Sequence, residues 1–176
     1  MVMLHRMRSD YTKDQLAVVH CNFQLRGEES DADEKFLETS CQALGIRLHA
    51  KRMDTEIYAT GHRVGIQEAA RELRYQYFED LMQEYGYACV ATAHHRDDSI
   101  ETYFINLLRG SGPEGLGGIL EDNERKVIRP LLNLSRAEIL DYAKHHGVAW
   151  REDSSNTSLK YLRNRVRHEL VPLMTD

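Results

Sequence analysis

His94, Asp98 and Glu101 have the types and the spacing of a reactive group. They sit where a short apolar run, Tyr87 to Ala93, gives way to a helix-like segment that closes on Arg109 and Gly110. Asp98 and Glu101 are i, i+3 neighbours, so a helix projects both carboxylates from one face. The positive end of that helix keeps them ionised. Such a pair can take a proton from an attacking amine, hold an ammonium ion, or hold Mg²⁺ through water. The same residues also fit a plain helix start, with Asp97 and Asp98 as caps and Glu101 in solvent; the spacing leaves both readings open. The adjacent His95 fits a buried, hydrogen-bonded imidazole.

Two arginine-bearing stretches could meet anions. In Gln67 to Tyr77, Arg71 and Arg74 are i, i+3 neighbours, as are Glu68 and Arg71. Intrahelical ion pairing accounts for that pattern, while Arg74 could instead reach a phosphate or a developing negative charge. In Ser154 to His168, Lys160, Arg163 and Arg167 fall on one helical face, with Asn156 and Asn164 beside it, and no acid lies between Lys160 and His168. A solvated face and a phosphate-binding face both fit this run. The turn from Gly110 to Gly118 holds five glycines and Pro113. It lacks the GxxxxGK[ST] pattern and links no strand to a helix, so it is not a P-loop of that type.

These residues need a frame to hold them. The chain has 176 residues, 41% of them apolar and 29% charged, which is enough for about one domain with a core. No apolar run approaches the roughly 20 residues that span a bilayer, and no signal peptide is visible. A net charge of −5 argues against a chain that coats nucleic acid non-specifically. Cys21, Cys41 and Cys89 form no CxxC or CxxH pair, so they suggest neither a zinc site nor a disulfide framework, and a reduced, cytoplasmic setting is expected.

In order, Met1 to Arg8 reads as the inside of an amphipathic helix without a start signal, and Leu16 to Cys21 as a buried strand. Ser30 and Asp33 form a capping-box-like pair for a helix that ends at Leu44 before Gly45. Ile46 to Met53 is a second strand, Asp54 to Gly65 an irregular connection, and Ile66 to Tyr85 a long helix stopped by Gly86. Lys126 to Pro130 is a brief strand. Ser135 and Glu138 cap a helix that ends at Gly147, and a last helix runs from about Leu159 to Leu170. Strands alternating with helices predict an α/β fold with a parallel sheet covered by helices on both faces.

Taken together, VVHCNFQLRGEESDAD, QEAARELRY, ATAHHRDDSIET, LLRGSGPEGLGGI, IRPLLNLSRAEI and EDSSNTSLKYLRNRVRHELVP resemble the successive signatures of the tRNA(Ile)-lysidine synthetases, within the N-type ATP pyrophosphatase (PP-loop) group. The likeness runs from about Leu16 to Pro172. It implies an adenine nucleotide alpha hydrolase-like, Rossmann-like fold. It also implies a ligase that uses ATP and Mg²⁺ to adenylate the wobble cytidine of an isoleucine tRNA with a CAU anticodon. The ε-amine of free L-lysine then displaces AMP to give lysidine. The matched positions imply His94, Asp98 and Glu101 in lysine and cytidine handling, and Arg74 and Arg163 in catalysis or charge stabilisation. They further imply His20 and Asn22 at the nucleotide, and Arg109, Lys160 and Arg167 at the tRNA. Lysidine synthetases are often dimeric, which makes a homodimer an expectation here, and no membrane partner is implied.

The chain departs from that pattern. Phe23 stands where the family usually has a histidine, and the SGGxDS phosphate loop with its preceding strand is absent. The opening MVMLH looks like the residues just after that loop, so an N-terminally incomplete sequence is expected, with residues 1–130 in the α/β catalytic core and 131–176 in a helical part of the catalytic domain. The tRNA-binding domains that usually follow are also absent. Rival readings are another PP-loop tRNA-modifying or synthetase enzyme, and a catalytically inert fragment that binds a nucleotide or tRNA. Scattered cysteines count against a thiolase.

Overall fold

A computed structural model describes residues 1–119, 125–153 and 162–175. Its elements in chain order are α1 (Val2–Met7), β1 (Ala17–Asn22), α2 (Glu28–Leu44), β2 (Arg47–Arg52), α3 (Thr55–His62), α4 (Ile66–Tyr85), β3 (Val90–Ala91), α5 (Arg96–Leu108), β4 (Val127–Ile128), α6 (Arg136–His145), α7 (Leu162–Arg165) and α8 (Val171–Thr175). A single π turn, Val166–Leu170, joins α7 to α8, with the amide of Val171 bonded to the carbonyl of Val166. The chain divides into two compact units, residues 6–88 and residues 1–5 with 89–176.

In the unit of residues 6–88, β1 and β2 pair in parallel with Ala17 opposite Arg47 and Asn22 opposite Arg52, joined by α2 in the crossover a parallel pair requires. α2 ends at Gly45, whose φ of 63° is the left-handed value that closes a helix cheaply in glycine. Its start differs from the expectation. Gly27, at φ 51°, turns the chain into a helix that already runs at Glu28, so Ser30 lies inside the first turn and its hydroxyl accepts from the Arg26 amide. Asp33 is drawn to the Arg26 guanidinium at 2.8 Å instead of serving as a cap. The stretch read as an irregular connection is helix α3: the Asp54 carboxylate accepts from the Ile57 amide, and Arg63, at φ 57°, ends it. A single capping aspartate outweighed the weak apolar pattern of that segment. The core of the unit includes Cys41, Ile46, Met53, Ala59, Ala69, Tyr75, Phe78 and Leu81.

In the other unit, β3 and β4 pair in parallel through only Val90 with Val127 and Ala91 with Ile128, less than the apolar runs around them suggested. Val2, Ala143 and Val148 form a buried cluster beneath Met1, Ile139 and Tyr142. The predicted Ser135–Glu138 capping box opens α6, with the Ser135 hydroxyl accepting from the Glu138 amide and Glu138 accepting from the Ser135 amide at 2.7 Å. That bonding holds the Glu138 carboxyl below its usual range. The last helical run extends to Thr175, past the predicted stop at Leu170. Its start near Leu159 lies outside the described residues.

Candidate active site

α5 begins with a cap that the sequence reading did not assign. His95 is its N-cap: Nδ1 accepts from the Asp98 amide at 3.4 Å, and Asp98 Oδ2 accepts from the His95 amide at 3.0 Å. Asp97 bonds outward, its Oδ2 accepting from the Arg136 amide at 3.0 Å, and the Arg96 amide donates to the Leu134 carbonyl at 2.8 Å. The starts of α5 and α6 are thereby tied together. Asp97 and Asp98 do serve the backbone, as a plain helix start requires. Asp98 Oδ1, by contrast, accepts no hydrogen bond among the described residues.

One turn later Glu101 is only 1% exposed, and solvent is not its partner. Arg163 donates from Nε to Oε2 at 2.9 Å. Arg167 donates from Nε to Oε1 at 2.6 Å and from Nη2 to Oε2 at 3.2 Å. A buried carboxylate is tolerable only when paired and hydrogen-bonded this fully. The hydrogen bond to Glu101 is the first cause that raises the pKa of the Arg167 guanidinium. Arg163 Nη2 also donates to the Thr102 hydroxyl at 3.1 Å and to the Asp98 carbonyl at 3.3 Å. Asp98 Oδ1 stands 4.0 Å from Arg163 Nη2 and 3.7 Å from Arg167 Nη2, which is attraction without a hydrogen bond.

Two segments some sixty residues apart thus meet, and the structure brings together Asp98, Glu101, Arg163 and Arg167. Thr102 belongs with them and was missed. The signal was present, since Thr102 lies four residues after Asp98 on the same helical face, and its hydroxyl donates to the Asp98 carbonyl at 2.8 Å. His94 Nδ1 pairs with the Thr92 hydroxyl at 3.0 Å. Arg109 is exposed at the C-terminal end of α5, roughly 12 Å along the helix axis from Glu101, and is not part of the cluster. Lys160 lies outside the described residues.

The glycine-rich turn folds back along α5. Asn106 Nδ2 donates to the Gly115 carbonyl at 2.6 Å, and the Ile119 amide donates to the Ser99 hydroxyl at 3.1 Å. Gly118 has φ 70°, and a Cβ there would stand 2.4 Å from Ser99 Oγ. Close approach to α5 therefore accounts for this glycine.

The remaining predicted residues lie in the unit of residues 6–88. His20 Nε2 on β1 is buried without a hydrogen-bond partner among the described residues, and burial is the main cause that lowers its pKa, against the opposing pull of Glu34 and Asp33. Asn22 is 2% exposed. It donates to Glu34 at 2.6 Å and Asp31 at 3.2 Å while accepting from the Gln24 amide at 3.0 Å. Arg52 joins the same carboxylates, Asp31 at 3.0 Å and Glu34 at 3.3 Å. Arg74 lies over the Phe23 ring, 5.2 Å from its centroid, and Arg71 over Tyr75 at 4.9 Å; a Glu68–Arg71 ion pair is not among the described contacts. The phenylalanine that departs from the family pattern thus holds the arginine by a cation–π contact.

A parallel α/β architecture, with ionisable side chains gathered at the start of the helix that follows a strand, is the nucleotide-handling class of fold. A family model for the PP-loop domain matches residues 1–174, and the chain belongs to that family. It is similar to the tRNA(Ile)-lysidine synthase of Bacteroides thetaiotaomicron, 48% identical over 92% of this chain and 38% of that protein. It is also similar to that of Chlorobaculum tepidum, 44% identical over 92% of this chain and 48% of that protein. The chain thus spans less than half the length of these curated relatives. Among solved structures it is similar in fold to the U34-tRNA thiolase NcsA of Methanococcus maripaludis, with a TM-score of 0.72 and 16% identity over 94% of this chain and 59% of that one.

Proposed function

We propose that this chain carries out ATP-dependent formation of lysidine, joining the ε-amine of free L-lysine to C2 of the wobble cytidine in an isoleucine tRNA with a CAU anticodon. The observation that carries the reading is the convergence of Asp98, Glu101, Arg163 and Arg167 on one site, from two of the motifs that resemble lysidine synthetases. ATP supplies the adenylyl group that makes the C2 oxygen a leaving group. His20, whose buried Nε2 lacks a partner among the described residues, suits a nucleotide contact. The Asn22 amide is occupied by Asp31, Glu34 and Gln24, so its share at the nucleotide is to hold the turn after β1. Among the described residues no cluster of three or more His, Cys, Asp or Glu could hold a metal. Both Glu101 oxygens are held in ion pairs, so Mg²⁺ would be carried chiefly by the ATP phosphates and water.

In this account Asp98 Oδ1, with no hydrogen bond among the described residues, receives the lysine ammonium and takes its proton before attack. The open edge of Arg163 faces the negative charge that develops as the leaving group departs, and Glu101 orients that arginine. His94 borders the amine, and Arg74 is assigned, from its motif, to catalysis or charge stabilisation. Arg109 and Lys160 are assigned to the tRNA. We assign residues 1–130 to the catalytic core and 131–176 to its helical part, place the protein in the cytoplasm, and take a homodimer as its assembly. No helix among the described residues is long and apolar enough to cross a membrane.

A thiolase reading fits the cysteines poorly. Cys21, Cys41 and Cys89 are all free, and burial pushes the Cys21 thiol up to about 11, where little nucleophilic thiolate exists near neutral pH. The test is incorporation of labelled lysine into the CAU-anticodon tRNA with ATP. Asp98→Asn is expected to lose it, and full incorporation by both Asp98→Asn and Glu101→Gln would sink the assignment.

A further inference from the structure

We infer that Thr102 is a positioning residue for the reaction: its hydroxyl sets the angle at which the Arg163 guanidinium lies against α5. A helical serine or threonine ordinarily gives its hydroxyl proton to the carbonyl four residues back and does nothing more. Thr39, Ser40 and Thr60 do this with Lys35, Phe36 and Glu56 at 3.0, 2.8 and 2.8 Å. Among the described contacts none of these three hydroxyls also accepts from a cationic side chain. Thr102 makes the same bond to Asp98, at 2.8 Å. That bond uses its one O–H and fixes the oxygen, whose lone pairs stay available. Arg163 Nη2 donates to this oxygen at 3.1 Å and to the Asp98 carbonyl at 3.3 Å. The two bonded oxygens make one seat for one nitrogen.

The seat matters because of how Glu101 holds the arginine. Arg163 donates to that carboxylate through Nε alone, and a single N–H···O bond lacks the fixed angle that a two-point contact gives. Packing does not supply the angle, since the Arg163 side chain is 41% exposed. Nη2 in its seat is the second point, and two points set the plane. Glu101 supplies the charge and Thr102 the angle. Both stand on α5 with Asp98, so one helix sets the arginine and the carboxylate relative to each other, with Nη2 4.0 Å from Asp98 Oδ1. The inference rests on the lysidine reading for the charge that Arg163 stabilises, but not for what holds the arginine.

The test separates the two. Thr102→Val keeps the branched shape and the helix propensity and removes the hydroxyl, whereas Thr102→Ser keeps the hydroxyl. Folding of each variant is checked by urea unfolding, and Thr102→Ala decides if the valine variant does not fold. The full chain is prepared with isotope-labelled arginine, and the Arg163 signals are assigned by their loss in Arg163→Lys. A held guanidinium turns slowly about its Nε–Cζ bond and gives its two Nη groups distinct NMR signals. Arg163 should show two in the wild type and in Thr102→Ser, and one averaged signal in Thr102→Val. A single averaged signal in the wild type, or two in the folded valine variant, overturns the proposal.

In the lysine-incorporation assay Thr102→Val should lose about tenfold in kcat, the scale of one hydrogen bond from a charged donor, with the lysine KM unmoved and Thr102→Ser close to wild type. Unchanged kcat in the valine variant, or an equal loss in the serine variant, overturns the proposal. No incorporation by the wild-type chain would count against the lysidine reading and leave the NMR result to decide the role of Thr102.

Discussion

Glu101 is the residue on which the site's stability and its chemistry meet. A carboxylate that is 1% exposed and bonded to two guanidiniums leaves both cations stranded when it is neutralised. Glu101→Gln should therefore cost about 3 kcal/mol of unfolding free energy, read from the urea midpoint. Asp98→Asn should cost much less, because an amide oxygen can still accept from the His95 amide, while removing the proton acceptor. Equal stability losses in the two variants would contradict this division of roles. The cysteines give a second residue-scale check. Cys89 is exposed, Cys41 is buried, and burial raises the thiol pKa of both Cys21 and Cys41. A thiol reagent at neutral pH should label Cys89 promptly and the other two only on unfolding.

At the scale of elements, β1 and β2 each carry a histidine whose surroundings favour the neutral form. Burial lowers the pKa of His20 on β1, and burial followed by the charge of Arg47 lowers that of His49 on β2. His49 also meets the Tyr87 hydroxyl at 2.8 Å. Since the folded pKa lies below the ordinary value of 6.5, the unfolded chain binds more protons as the solution acidifies. The contribution is fully present above pH 6.5 and is lost as pH falls through that value toward the folded pKa. Urea unfolding between about pH 7.5 and pH 5.5 should show falling stability, with a shallower fall in His20→Gln. The turn after α5 offers a further test. Gly118→Ala combines a positive φ of 70° with a clash against Ser99 Oγ, and should destabilise by about 2 kcal/mol, measurable as a lowered Tm.

For the molecule as a whole, most elements were legible because their signals are local. The Ser135–Glu138 box, the glycine stops after α2 and α4, and the apolar stripe of α4 all declare themselves within a few residues. The misplaced start of α2 and the missed α3 arose where one backbone feature, the positive φ of Gly27 or the cap at Asp54, outweighed side-chain pattern. The site was half legible. Spacing within α5 placed Asp98 and Glu101 on one face, but the partners of Glu101 lie more than sixty residues away, and no periodicity reports such a contact. Motif resemblance named Arg163 for catalysis and Arg167 for tRNA; that both point into Glu101 is visible only in three dimensions.

The central claim, that this PP-loop chain joins lysine to an ATP-activated cytidine, is tested most directly by product stoichiometry. With ATP, labelled lysine and the CAU-anticodon isoleucine tRNA, the chain, alone or with an SGGxDS segment fused ahead of it, should release one AMP for each lysine fixed on the wobble cytidine. Asp98→Asn should abolish both products together. AMP release without lysine fixation, or no product from either form, would contradict the account.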